Sequence, residues 1–390
     1  MWIFGRISYL KITDVKVRIF RFPPLKFKIH EQYNGIIRSS PWVQRTLNVT
    51  EVATDEGIVG VCPGGDKEKI EGRIRRAIIG EDPLAVERIW QKLYMGDYRK
   101  PVAKGDWITT ISHVDMAIWD IVGKASKQPT YKLLGGYADR VPIYAAGGYY
   151  FEGKSEQDLA DELKGFVEQG YDAVKMKVGA WRFGVSMETD VKRVKAAREA
   201  IGSNIKLMVD ANNAWTAKEA IKFIKTVERY ELYWFEEPVE PDDFEGSAEV
   251  KAATSILVAS GENEATRWGS RDLIESRAVD VIQVDPGICG GFTEIRKISA
   301  MASAHHIWFA PHGGHILGAT AVAAAPNGLI VESYPTSKWR PESPIDPNHP
   351  EIKLLEESNT IKKGWITLSQ KPGLGYYLNE DVAKKYEVKD

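Results

Sequence analysis

Past residue 140 the chain repeats one rhythm: a short apolar run, a polar residue at its end, then an amphipathic stretch. The runs are Val141–Ala146, Ala173–Val178, Ile205–Val209, Tyr233–Phe235, Ile256–Ala259, Val279–Val284, Ile307–Ala310 and Gly328–Val331. They are rich in β-branched and aromatic residues and too short for helices, so they read as strands. Between them, Ser155–Gly170 and Thr216–Glu231 carry apolar residues at three- and four-residue spacing, as on one helix face. Ser155 and Thr216 suit N-caps, and Gly170 suits a C-terminal stop. Eight strands alternating with helices over roughly 200 residues predict an α/β fold, a (β/α)8 TIM barrel. An open doubly wound sheet is the competitor. No GxGxxG or GxxxxGK[ST] loop follows the first strand to support it.

The residues before the barrel follow another pattern. Asp14–Phe22 alternates as a strand expected to stop at Pro23-Pro24. Arg45–Pro63 reads as a hairpin turning at Asp55-Glu56-Gly57, and Ile108–Ala125 as a helix. The expected organisation is an N-terminal α+β capping domain over 1–136 and a barrel over 137–363. A segment over 364–390, with a strand in Lys371–Asn379, is expected to return to the capping domain.

Composition narrows the class. Apolar residues make up 43% and charged residues 27%, ordinary for a globular chain and unlike a disordered one. The 52 Lys and Arg against 54 Asp and Glu leave no basic excess for nucleic acid. Two cysteines, Cys62 and Cys289, give neither a disulfide framework nor a zinc spacing. The start has no signal-peptide pattern, and Ile316–Val331 is broken by Pro326 and Asn327. The expectation is a cytoplasmic protein with no membrane partner.

Catalytic groups in such barrels sit at the C-terminal ends of strands. There the chain carries Lys175 and Lys177, Asp210, Glu236, Glu262, Asp285, His312 and Glu332. Successive spacings from Lys177 are 33, 26, 26, 23, 27 and 20 residues, about one βα unit each, which brings them into one ring. Asp210, Glu236 and Glu262 end three consecutive strands. Carboxylates held together repel and need a cation, and all-oxygen ligation suits Mg2+ first and Mn2+ second. Lys175 and Lys177, two apart on a strand, face the same way. As like charges they are expected to lower each other's pKa, which would make one a base. Asp285 beside His312 would fix the imidazole tautomer and support its charge. His305 and His306 precede their strand and should lie at the wrong end. His315, beyond Gly313-Gly314, would be able to line the site.

These residues also carry a family resemblance. Lys175-Met-Lys177, Asp210-Ala-Asn212, Phe235-Glu-Glu-Pro238, Gly261-Glu-Asn263, Asp285–Gly291, Pro311-His-Gly313 and Glu332, in that order, resemble the enolase superfamily, mandelate racemase subgroup. The likeness extends to Tyr131–Gly136 and Pro372–Gly375. It implies a capping domain over a modified barrel, one Mg2+, and abstraction of a proton α to a carboxylate through an enediolate. By motif position, Lys177 would be the base, tuned by Lys175. Asp210, Glu236 and Glu262 would bind Mg2+, and His312 with Asp285 would act on the other face. Glu332, Lys175 and Asn212 would contact substrate.

Ala145–Tyr150 with Asp210–Asn213 is similar to acid-sugar dehydratases of the D-arabinonate type. Asn212 stands where some subgroup dehydratases carry a histidine, which leaves His312 as the acid. The leading expectation is dehydration of a sugar acid, an aldonate such as D-arabinonate or a hexonate, to a 2-keto-3-deoxy acid. Loop residues 22–45, Tyr33 among them, would read the substrate. Family analogy implies a homo-oligomer. The alternatives are a racemase or epimerase of a 2-hydroxy acid using the same Lys/His pair, and a non-catalytic sugar-acid binding barrel.

Overall fold

The computed structural model describes residues 10–25, 28–29, 38–39, 43–96, 102–339 and 350–389. Strands β1 (Ile12–Leu25), β2 (Val43–Thr54) and β3 (Val59–Pro63) form an antiparallel sheet in that order. The β2–β3 hairpin turns at Asp55-Glu56-Gly57, where Gly57 takes φ +77°. Strand β1 does not stop at Pro23-Pro24. It runs on to Leu25 with its register broken between Phe22 and Leu25. Proline is tolerated here because β1 is an edge strand and the irregularity absorbs the missing donors.

Helix α1 (Val86–Met95) packs against helix α2 (Asp106–Ala125), which covers this sheet. The backbone of β3 approaches α2 so closely that a Cβ on Gly60 would lie 2.0 Å from the Ala117 carbonyl oxygen.

The barrel strands are β4 (Arg140–Ala146), β5 (Ala173–Lys177), β6 (Lys206–Asp210), β7 (Leu232–Glu236), β8 (Leu257–Ser260), β9 (Val281–Ile282), β10 (Trp308–Phe309) and β11 (Val331–Ser333). From β4 to β10 each pairs in parallel with the next, and β11 pairs in parallel with β4. A parallel bridge between Phe309 and Gly328 closes the ring between β10 and β11. The fold is thus an α/β barrel with an N-terminal α+β cap. The eighth strand begins at Val331 instead of ending there, so Glu332 lies within a strand.

Strand β5 is buried on both faces. On β5, Val174 and Met176 pack toward the helices, while Ala173 joins an interior cluster with Tyr144, Met208, Trp234, Ala259 and Val281. Side chains alternate, so Lys175 and Lys177 share the face of Ala173 and point inward.

Helices α3 (Glu156–Glu168) and α4 (Ala217–Val227) begin with capping boxes, Ser155 with Asp158 and Thr216 with Glu219. Gly170, φ +97°, follows the end of α3. The interstrand helix after β9 is α5 (Phe292–Ala304).

The C-terminal residues serve both parts of the molecule. Trp365–Thr367 pairs antiparallel with the start of β4. Tyr376–Leu378 pairs with Leu355–Glu357, and the Tyr376 hydroxyl donates to the Val61 carbonyl at 3.0 Å. Arg18 of β1 is held by Glu51 at 3.0 Å, Glu380 at 2.8 Å and Glu387 at 2.8 Å. Cys62 and Cys289 are buried free thiols. Among the described residues, no helix is long and apolar enough to cross a membrane.

Candidate active site

The C-terminal ends of the barrel strands converge on one buried cluster of charge. Lys175 reaches Glu236 at 2.5 Å, Glu332 at 2.9 Å and Asp210 at 3.5 Å. Lys177 donates to Asp210 and, at 2.7 Å, to Asn212 Oδ1. Their ammonium groups also face rings, Lys175 that of Tyr144 at 5.3 Å and Lys177 that of Tyr149 at 5.6 Å. From the other side, His312 Nδ1 lies 2.9 Å from Asp285 Oδ2. Its Nε2 points inward, 3.7 Å from Glu262 and 3.8 Å from Glu332.

The structure therefore brings together Lys175, Lys177, Asp210, Asn212, Glu236, Glu262, Asp285, His312 and Glu332. Tyr33 lies outside the described residues, as does the side chain of His315. His305 and His306 are exposed and precede β10, at the opposite end of the barrel.

The electrostatics correct one expectation. Lys175 does lower Lys177, as expected of like charges, but neither lysine is left with a depressed pKa. Burial favours their neutral forms, but Glu236, Glu332 and Asp210 outweigh it, and both pKa values are raised. The carboxylates split accordingly. Asp210, despite burial, is held below the usual range by Lys177 and Lys175. Glu332 is held down to about 2, because Lys175 and His312 outweigh its burial. Glu236 is pushed up to about 8 by burial and by Asp210, despite Lys175. His312 is raised well above its ordinary value, since Glu262, Asp285 and Glu332 overcome its burial.

The cluster thus holds more carboxylates than cations. Among the described residues, no three carboxylate, histidine or cysteine side chains close to ligating distance. Asp210 and Glu236 instead take the lysines as counter-charges. The donor set, buried oxygens with surplus negative charge, fits a hard divalent cation.

Two supporting groups escaped the sequence reading. Glu237 is 1% exposed and accepts from Asn263 Nδ2 at 2.7 Å and Asn213 Nδ2 at 3.0 Å. Strand alternation aims it away from the barrel interior. A left-handed backbone turn at Glu237, φ +44°, brings it back, and Asn212 and Asn213 take similar turns at +42° and +61°. Such conformations cost about 1–3 kcal/mol each and collect at functional sites. Trp234, one layer below, donates its indole N–H to Glu236 at 3.0 Å. The doubled acid of Phe235-Glu-Glu-Pro238 was the available signal for Glu237; nothing local marked Trp234.

Comparison with known proteins bears on the whole chain. Residues 158–382 match the enolase C-terminal domain-like family, and residues 39–135 match the mandelate racemase / muconate lactonizing enzyme N-terminal domain. An arabinonate dehydratase of Saccharolobus solfataricus is 35% identical over 351 residues, 87% of this chain and 90% of that one. A D-galactarolactone cycloisomerase of Agrobacterium fabrum is 33% identical, over 98% of this chain and 100% of that one. A mandelate racemase/muconate lactonizing enzyme from a marine actinobacterium, solved in complex with magnesium, superposes with a TM-score of 0.80. It is 31% identical and covers 97% of this chain and 100% of that one. With both domains matched and sugar-acid enzymes among its relatives, the chain belongs to the mandelate racemase and muconate lactonizing enzyme family of the enolase superfamily.

Proposed function

We propose that the protein is a Mg2+-dependent dehydratase of a sugar acid, an aldonate such as D-arabinonate or a hexonate, yielding a 2-keto-3-deoxy acid. The observation that carries this reading is the pairing of Lys177 with the Asp285–His312 dyad around one group of buried carboxylates. A base and an acid approaching from different strands are what loss of water across C2–C3 needs.

Asp210, Glu236 and Glu262 would hold Mg2+, the ion bound in the marine actinobacterial neighbour. When bound, the ion supplies positive charge opposite the negative charge that develops on the substrate carboxylate. With Asp210 neutralised by that charge, burial and the nearby Lys175 both favour a neutral Lys177 amine. Lys177 Nζ takes the C2 proton, and the C–H electron pair passes into the carboxylate. Lys175 and Glu332 orient that carboxylate. His312 Nε2 then gives its proton to the C3 hydroxyl, the electron pair returns from the carboxylate to form C2=C3, the C3–O bond breaks and water leaves. The resulting enol tautomerises to the 2-keto acid. Asp285 holds Nδ1, so Nε2 is the nitrogen that acts. Asn212, bonded to Lys177, contacts substrate beside the base.

The test is a screen of pentonates, hexonates and aldarates with Mg2+, read as 2-keto-3-deoxy acid, with a chelator control. A metal-dependent product is expected. No product, but deuterium incorporation at C2 in D2O, would replace dehydration by racemisation. Isomerisation of galactarolactone, the reaction named for the Agrobacterium relative, would replace it by cycloisomerisation. Neither turnover nor exchange would leave a binding barrel.

A further inference from the structure

The loop that carries Asp285 is fastened to the cap as well as to the barrel. Asp285 begins a tight turn in which its carbonyl accepts from Ile288 N at 3.0 Å and Cys289 N at 2.8 Å. The Gly287 N–H donates to Asp285 Oδ1 at 2.6 Å, which leaves Oδ2 for His312. The far end of the turn is anchored by α2. Gly290 N–H donates to Ser112 Oγ at 2.9 Å, with Ser112 fully buried. Thr293 N–H donates to Asp115 Oδ2 at 3.0 Å, and the Thr293 hydroxyl to Asp115 Oδ1 at 2.5 Å. Asp115 is 4% exposed, and a Cβ on Gly291 would lie 2.3 Å from its Oδ2. Gly290 and Gly291, at φ +110° and +79°, give the backbone this close approach.

The path from cap to acid is therefore short and continuous. A shift of Gly290 carries Cys289 and Ile288 with it, and these two hold the Asp285 backbone. We propose that Ser112 and Asp115, on the capping helix, are positioning residues for the Asp285–His312 pair. The cap thereby holds the acid half of the site from behind, while the base half, Lys177 on β5, belongs to the barrel alone. The inference rests on the dehydratase reading for its kinetic consequence, but its structural consequence is independent of any substrate.

Two measurements test it. In the Ser112→Ala protein, dehydration is expected to fall about ten- to a hundredfold, the scale of a small misplacement of a catalytic group. KM is expected to change little. Exchange of the C2 hydrogen with D2O, which needs Lys177, should persist, so the ratio of exchange to dehydration rises. Asp115→Ala should behave alike, and Asp115→Asn, which keeps an acceptor for Thr293 N–H, should recover most of the loss. The second measurement is the downfield proton resonance of His312 Nδ1–H bonded to Asp285. It should shift or broaden in Ser112→Ala and remain in Asp115→Asn, in a protein still fully folded. Exchange and dehydration falling together, or an unmoved His312 resonance, would overturn the proposal and leave these residues as interface stabilisers. A native protein that turns over no sugar acid would defeat the dehydratase reading instead, and the resonance would still decide the positioning role.

Discussion

Asp285 divides its carboxylate, taking the Gly287 N–H at 2.6 Å on one oxygen and meeting His312 Nδ1 at 2.9 Å with the other. The imidazole is consequently presented with Nε2 toward Glu262 and Glu332, where a substrate hydroxyl would sit.

From this arrangement, His312→Asn should lose dehydration by about 10²–10⁴-fold, the usual worth of a general acid. Exchange of the C2 hydrogen in D2O should survive. Equal loss of both would remove His312 from the second half of the reaction.

Lys177→Ala should abolish both exchange and dehydration, while titration calorimetry still shows Mg2+ binding. The ammonium is a counter-charge for Asp210, one of the three carboxylates assigned to the ion, so its removal should not weaken the metal. Undiminished turnover would exclude it as the base.

Chelation should stop turnover, and added Mg2+ should restore it. Glu236→Gln should weaken the ion measurably in the same calorimetric titration. That substitution removes one of the oxygen charges a hard cation needs.

Stability should depend on pH through Asp115. Burial pushes its carboxyl up to about 7, despite the two hydrogen bonds from Thr293. The unfolded value is near 3.9, so the folded state favours the protonated form. Its stabilising contribution is complete below about pH 4 and is lost as pH rises through about 7. A rise from about 4 to about 7 corresponds to at most ~4 kcal/mol. Asp115→Asn should therefore flatten the fall in urea midpoint between pH 5 and 8. An unchanged slope would show that the carboxyl is not the source.

Gly60→Ala should destabilise the cap. The added methyl would meet the Ala117 carbonyl at 2.0 Å and the Ile121 side chain at 2.7 Å, so β3 and α2 must separate. Overpacking of this kind costs about 1–3 kcal/mol. A midpoint within error of the native protein would show that the interface yields freely.

The sequence by itself determined the rhythm of the barrel and the ring of polar groups. Period-two alternation and helix caps are local properties, so β5 and the N-caps at Ser155 and Thr216 were readable without tertiary information. The spacing of about one βα unit then carried Lys177, Asp210, Glu236, Asp285 and His312 to the same end of the barrel. Local pattern misjudged Pro23-Pro24, because whether a strand tolerates proline depends on its place at a sheet edge.

Only the tertiary structure decided the charges and the partners. Seen alone, Lys175 and Lys177 are two like charges. In the barrel each meets carboxylates from strands distant in sequence, and those reverse the shift. Glu237 points away until its backbone turns left-handed, and Ser112 and Asp115 lie about 180 residues from the loop they hold. Coulomb energy and hydrogen bonding act through distance in space, and closure of the barrel under its cap is what sets those distances.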